Sequence, residues 1–278
     1  MKEHRLSNNH PMLSMILALL LSTILVDTIA MFARPDTLMW FMKAAVAGIF
    51  LFIHQWWFSP EYKGVLKTEI PFNEVLKLSV PYWFMLGLSY VCNLIDYGPV
   101  FRPTATAIAM AVGAGVSEEI MIRGVTIPIG MRYLKNKNKP LVITLVTAII
   151  FGAIHLSSLA AGSVPMMVAL QIVTAICAGI FFAAVFLRTG NILITIIMHG
   201  LYDWMCFVTD PSVSSGVMTA ANVTTGLIIA TAVDIALAIA GLYMIRPAVR
   251  ADIDAVWERK SIVNDKKDTK GEQYYAGE

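Results

Sequence analysis

Eight stretches of this 278-residue chain are apolar over roughly the 20 residues that a helix needs to cross a bilayer. They run Met12–Ala33, Thr37–Phe58, Leu78–Gly98, Thr104–Tyr133, Leu141–Ala161, Val164–Leu187, Asn191–Val208 and Met218–Ile245. Composition agrees: 57% of the residues are hydrophobic and 14% charged, where an average soluble domain carries roughly 25% charge. Mean hydropathy is +0.68. Such a chain is neither disordered nor an ordinary soluble enzyme, and it has no basic face with which to bind nucleic acid. A net charge of +2 is too small to imply a polyanionic partner. Cys92, Cys177 and Cys206 lie in apolar stretches without CxxC spacing, so they give neither a disulfide framework nor a zinc knuckle.

The breaks between stretches carry the expected punctuation, at Arg34-Pro35, Ser59-Pro60, Arg102-Pro103, Lys139-Pro140 and Asp210-Pro211. The first stretch follows a weakly basic start, as a signal peptide would. Its length, its Asp27, the lack of a clear small-residue cleavage site and the seven stretches after it favour a retained helix. Lys and Arg set the orientation. With the N-terminus inside, the inner ends hold Lys2, Arg5, Lys63, Lys67, Lys77, Arg132, Lys135, Lys137, Lys139 and Arg188, and the segment after Ile245 adds seven more. That makes 17, against Arg34, Lys43 and Arg102 outside; Arg123 falls within a span. The expectation is an all-α, polytopic protein of the cell membrane with about eight transmembrane helices, N-in and C-in. A single transmembrane domain over 1–246 is expected, followed by a cytoplasmic, disordered tail over 247–278. No internal repeat is visible.

Ionisable groups inside a bilayer are costly and mark function by default. His54, Asp27, Asp96 and Asp234 are scattered and mostly near span ends, which suits interfacial or packing roles. Glu118, Glu119, Arg123, His155, His199 and Asp203 form a denser set drawn from the fourth, fifth and seventh spans. Glu118 lies fourteen residues before Arg132 and His155 fourteen after Leu141. At 1.5 Å per residue, both sit about 20 Å from the same edge, and His199 sits about 12 Å from it. These groups are therefore expected to share one interior pocket.

Helix spacing assigns partners. Glu119 and Arg123 are i, i+4 and should pair. Glu118, turned about 100° from Glu119, is freer to face the pocket as a general base for water. His199 and Asp203 repeat the i, i+4 spacing, so Asp203 can orient the imidazole or offer its own oxygen to the pocket. Gly113 and Gly115, a turn before the glutamates, allow close helix approach.

The segment Ser117-Glu118-Glu119-Ile120-Met121-Ile122-Arg123-Gly124 resembles the EExxxR motif of the CAAX protease and bacteriocin-processing family of intramembrane peptidases. Phe151-Gly152-Ala153-Ile154-His155 resembles its FxxxH motif, and His199-Gly200-Leu201-Tyr202-Asp203 its HxxxN motif in a variant ending in Asp. The ordered trio covers about 105–207. This resemblance implies an intramembrane endopeptidase, related to the Ras-converting CAAX endopeptidase, with a catalytic pocket reached from the cytoplasmic side. In it Glu118 and His155 would activate water, His199 and Asp203 would stabilise the oxyanion, and Glu119 with Arg123 would support the site. The departure is Asp203, because an ionised carboxylate cannot donate to an oxyanion.

Zinc stays open as a cofactor, with Glu118, His155 and His199 as three ligands and a fourth position for water. The HExxH spacing is missing, and the reading without metal is preferred. The expected partners are a peptide or membrane-protein substrate and the lipid bilayer, with no nucleic acid. The alternative function is a non-catalytic bacteriocin self-immunity or toxin-binding protein. Coupled transport is disfavoured by the lack of a repeat with paired broken helices.

Overall fold

The computed structural model describes residues 6–58, 63–210, 213–214, 217–218 and 223–261. Lys2, Arg5 and residues 262–278 of the expected tail lie outside the described residues. In chain order, α1 (Leu6–Asn9) leads into α2 (Pro11–Ala30), and α3 (Asp36–Ile53) ends in a π-turn over His54–Phe58. Next come α4 (Phe72–Tyr97) and α5 (Ala105–Glu119); α5 passes through a π-helical segment, Ile120–Val125, into α6 (Thr126–Tyr133). The chain continues with α7 (Lys139–Ile154), α8 (Ser157–Ala160), α9 (Pro165–Thr189) and α10 (Ile192–Thr209). A short strand pair, β1 (Val213–Ser214) with β2 (Val217–Met218), precedes α11 (Thr225–Met244) and α12 (Arg250–Lys260).

Among the described residues, eight helical runs are long and apolar enough to cross a membrane, with α5 to α6 counting as one run of 29 residues. The chain is a multi-pass helical membrane protein, and its helices answer one for one to the eight apolar stretches. Lipid-facing side chains such as Ile49, Phe52, Phe84 and Ile239 are exposed, which bilayer tails allow.

Two edges move for physical reasons. α4 starts at Phe72 rather than Leu78, drawing Glu74 and Lys77 into its opening turns, where they pair at 2.8 Å. The last span starts at Thr225 rather than Met218. Thr224 caps it by accepting from the Leu227 backbone N–H, and Val217–Met218 are paired in the strands.

The expected disordered tail is corrected over 247–261. α12 lies against the end of α9, with Ile253, Val256 and Trp257 buried. Trp257 Nε1 donates to the Leu187 carbonyl at 3.1 Å, and its ring meets Phe186 edge-on. The fully buried Lys260 ammonium donates to the carbonyls of Gly64 and Lys67 at 3.1 and 2.8 Å. Lys139–Asp254 and Arg188–Asp252 ion pairs complete the attachment. α12 therefore straps one face of the bundle, the face that carries most of the basic residues.

Candidate active site

Close backbone contact between α5 and α10 creates the site. A Cβ placed on Gly115 would sit 2.8 Å from the Gly200 backbone nitrogen and 3.1 Å from the Ile196 carbonyl oxygen. Only glycine fits that crossing, and His199 is the residue next to Gly200. One turn past Gly115 on α5, Glu118 and Glu119 face the imidazole. Gly113 plays the same part toward α3, where a Cβ would lie 2.6 Å from the Trp40 carbonyl oxygen.

Three carboxylates surround His199. Glu119 Oε1 lies 3.0 Å from Nδ1. Asp203 Oδ2 and Glu118 Oε2 lie 3.5 and 3.8 Å from Nε2. Glu119 Oε1 also accepts from Arg123 Nη1 at 2.8 Å, and both of those side chains are fully buried. The expected Glu119–Arg123 pair is present, and Glu119 does more than neutralise: it bridges arginine to imidazole. An ionised Glu119 assigns the proton to Nδ1, so Nε2 is turned toward Glu118 and Asp203. The Glu118 and Asp203 side chains keep 23% and 20% of their surface exposed. They are the two carboxylates that substrate or water can reach.

Aromatic rings fix the rest. Phe182 of α9 stacks on the His199 ring at 5.7 Å, 26° from parallel, and Phe151 of α7 meets it edge-on at 5.7 Å. The Arg123 guanidinium sits over Phe151 at 4.5 Å, a cation–π contact strengthened by desolvation. Its Nε and Nη2, with Glu119 Oε2, have no hydrogen-bond partner among the described residues. Tyr82 of α4 donates to the Met198 carbonyl at 2.6 Å, pinning the turn that carries His199. Arg123 itself lies on the π-helical segment, a local widening that recurs at functional sites.

His155 joins the cluster less directly. It caps the C-terminus of α7, half-buried, with Nδ1 2.8 Å from the Phe151 carbonyl oxygen. Its ring packs edge-on to Phe151 at 5.1 Å, the same ring that touches His199. Glu118, Glu119, Arg123, His199 and Asp203 are thus in mutual contact, whereas His155 reaches them through Phe151.

The proposed zinc triad is not assembled. Among the described residues no three His, Cys, Asp or Glu side chains are arranged to hold a metal ion. His199 Nδ1 is engaged by Glu119, and His155 is held by Phe151.

The scattered ionisable residues have packing roles where partners are seen. Asp27 pairs with Lys43 at 2.8 Å. Asp96 accepts from Thr224 and from the Gly226 backbone N–H at the start of α11. His54 is buried and stacked on Phe50, and Asp234 is buried on α11. Sequence reasoning missed Phe182, Tyr82 and the Glu119–His199 bond. The first two are ordinary apolar-run residues, and the third depends on the crossing at Gly115.

The chain is therefore a multi-pass helical membrane protein with an acid–imidazole cluster buried between its spans. Residues 100–205 match the family described as Type II CAAX prenyl endopeptidase Rce1-like. The matched segment contains all three motifs, in agreement with the CAAX protease and bacteriocin-processing family. No curated protein and no solved structure matches the chain.

Proposed function

We propose that this protein is an intramembrane endopeptidase that hydrolyses a peptide bond in a peptide or small membrane-associated protein, with Glu118 as general base. The observation that carries the reading is the opposed arrangement around His199. Its Nδ1 is held by the Arg123-neutralised Glu119, and its Nε2 faces the accessible Glu118 and Asp203. The family match over residues 100–205 supports the same reaction class.

In the proposed cycle, Glu118 takes a proton from water and the resulting hydroxide attacks the scissile carbonyl carbon. His199, as imidazolium, donates Nε2–H to the oxygen that becomes negative. Collapse of the tetrahedral intermediate breaks the C–N bond, and the proton on Glu118 passes to the leaving amine. Asp203 orients Nε2 and balances the imidazolium charge, a role an ionised carboxylate can fill where direct donation to an oxyanion is closed to it. His155 holds its Nδ1 proton on Phe151, leaving Nε2 to accept from the attacking water. Glu119, neutralised by Arg123, holds the His199 ring through its Nδ1–H and does not react.

The test is cleavage of candidate peptides by the purified protein. Glu118→Gln keeps the side-chain size and removes the base, and should lower turnover about 10²–10⁴-fold; His199→Ala should do at least as much. Unchanged turnover in both variants would contradict the proposal. Survival of a protective phenotype in Glu118→Gln would point to the toxin-binding alternative.

A further inference from the structure

The crossing of α5 and α10 carries one more polar side chain to the ionisable cluster. Close contacts fix how the two helices run past each other. Gly115 lies against Gly200 and the Ile196 carbonyl. Gly124, on the π-helical segment that continues α5, lies against Ile192 instead, where a Cβ would meet Cδ1 at 2.8 Å. The helices are therefore antiparallel, and Glu119, between those two glycines, runs alongside the stretch of α10 between Ile192 and Gly200. Thr195 and His199 stand there one turn apart on the same face of α10.

Thr195 is fully buried. Its hydroxyl donates to the Ile192 carbonyl at 3.0 Å, a bond to its own helix of the kind that helical threonines commonly make. It also interacts with the Glu119 carboxylate. That carboxylate is unevenly served. Oε1 takes the Arg123 and His199 bonds at 2.8 and 3.0 Å, whereas Oε2 is buried with no hydrogen-bond partner among the described residues. A buried carboxylate oxygen without a donor is costly, and buried polar groups of native proteins are nearly always satisfied. The hydroxyl across the crossing is a donor of the right kind at the right level.

We infer that Thr195 is a positioning residue: its hydroxyl braces Glu119 Oε2, so that Oε1 stays on the His199 ring and on Arg123. The hydroxyl proton turns from the Ile192 carbonyl toward the carboxylate. The carbonyl loses little, because it still accepts from the Ile196 backbone N–H within α10. Thr195 touches neither the attacking water nor the substrate, and it acts on cleavage only through Glu119 and His199. That consequence rests on the peptidase reading; the brace itself does not.

Thr195→Val keeps the shape of the side chain and removes the hydroxyl; Thr195→Ser keeps the hydroxyl and removes the methyl group. Thr195→Ala, which lacks both, should behave as Thr195→Val does and serves in its place if the valine is not tolerated. Two readouts on the full-length protein in detergent separate the brace from its consequence. The first needs no substrate. With isotopically labelled histidine, the His199 Nδ1–H proton resonance is identified by its loss in His199→Ala. It should move in Thr195→Val and return toward its wild-type position in Thr195→Ser. The second is peptide cleavage, where Thr195→Val should lower kcat about 10-fold or more with KM unchanged, and Thr195→Ser should recover most of the loss. An unmoved resonance in Thr195→Val, or the same displacement in Thr195→Val and Thr195→Ser, overturns the inference. So does a wild-type kcat in Thr195→Val. A resonance that moves as expected in a protein that cleaves no peptide counts against the peptidase reading alone.

Discussion

At the residue scale, the two adjacent glutamates carry different burdens. Glu119 compensates a fully buried arginine and fixes an imidazole, so removing its charge leaves Arg123 buried and unpaired. Breaking such a pair costs about 3–5 kcal/mol. Glu118 has nearly a quarter of its side chain exposed and no cation pairing it as closely, and surface-like changes stay within roughly 0.5 kcal/mol. Thermal melts in detergent should therefore show Glu119→Gln strongly destabilised and Glu118→Gln near wild type. Equal losses in the two variants would refute this division of roles. Most of the site was legible in the sequence, because i, i+4 spacing alone pairs Glu119 with Arg123 and His199 with Asp203. The Glu119–His199 bond was not, since no spacing within one helix reports which residues of another helix it will meet. The attachment of His155 through Phe151 was not legible either, because it depends on the end of α7, where the chain turns away after Ile154.

At the element scale, the crossing of α5 and α10 is the most sensitive joint. Gly115→Leu would drive a side chain into the backbone at Gly200, and overpacking of that kind costs about 1–3 kcal/mol. It should also abolish peptide cleavage by separating Glu118 from His199. Gly87→Ala is the matched control: a Cβ there meets nothing within 4 Å, and the change should be neutral or stabilising by roughly 0.5–1 kcal/mol. Retained cleavage in Gly115→Leu would show that the crossing does not set the site.

α12 offers a second element-scale prediction. Burial, offset in part by the Glu69 carboxylate, holds the Lys260 ammonium below its ordinary value of 10.5. The unfolded chain then binds more protons between that lowered value and 10.5, so the burial penalty is full below the window and fades as pH rises through it. Melting temperatures should show wild type gaining on Lys260→Met as pH rises toward 10.5; a gap that narrows or reverses would contradict the assignment. The spans were readable because each is a long apolar run. α12 was missed because its mixed charge read as a solvated tail, although Ile253, Val256 and Trp257 already showed i, i+3, i+4 spacing. The π-helical segment at Ile120–Val125 had no sequence signal, because apolar residues on every side hide a change of helical period.

At the scale of the whole molecule, the spans build a bundle that is densely packed around and beneath its ionisable cluster and looser above it. The buried half encloses the Arg123–Glu119–His199 chain, while Glu118 and Asp203 keep part of their surface exposed. Composition and charge bias foretold a membrane bundle, but not the gradient, which arises from packing among helices of similar hydropathy. The central claim is that Glu118 and His199 together break peptide bonds. Mass spectrometry of the membrane-associated peptides from cells expressing wild type, Glu118→Gln or His199→Ala tests it most directly. The account predicts cleavage products with new termini in wild type that are missing from both variants at matched protein levels; identical peptide populations in all three would contradict it.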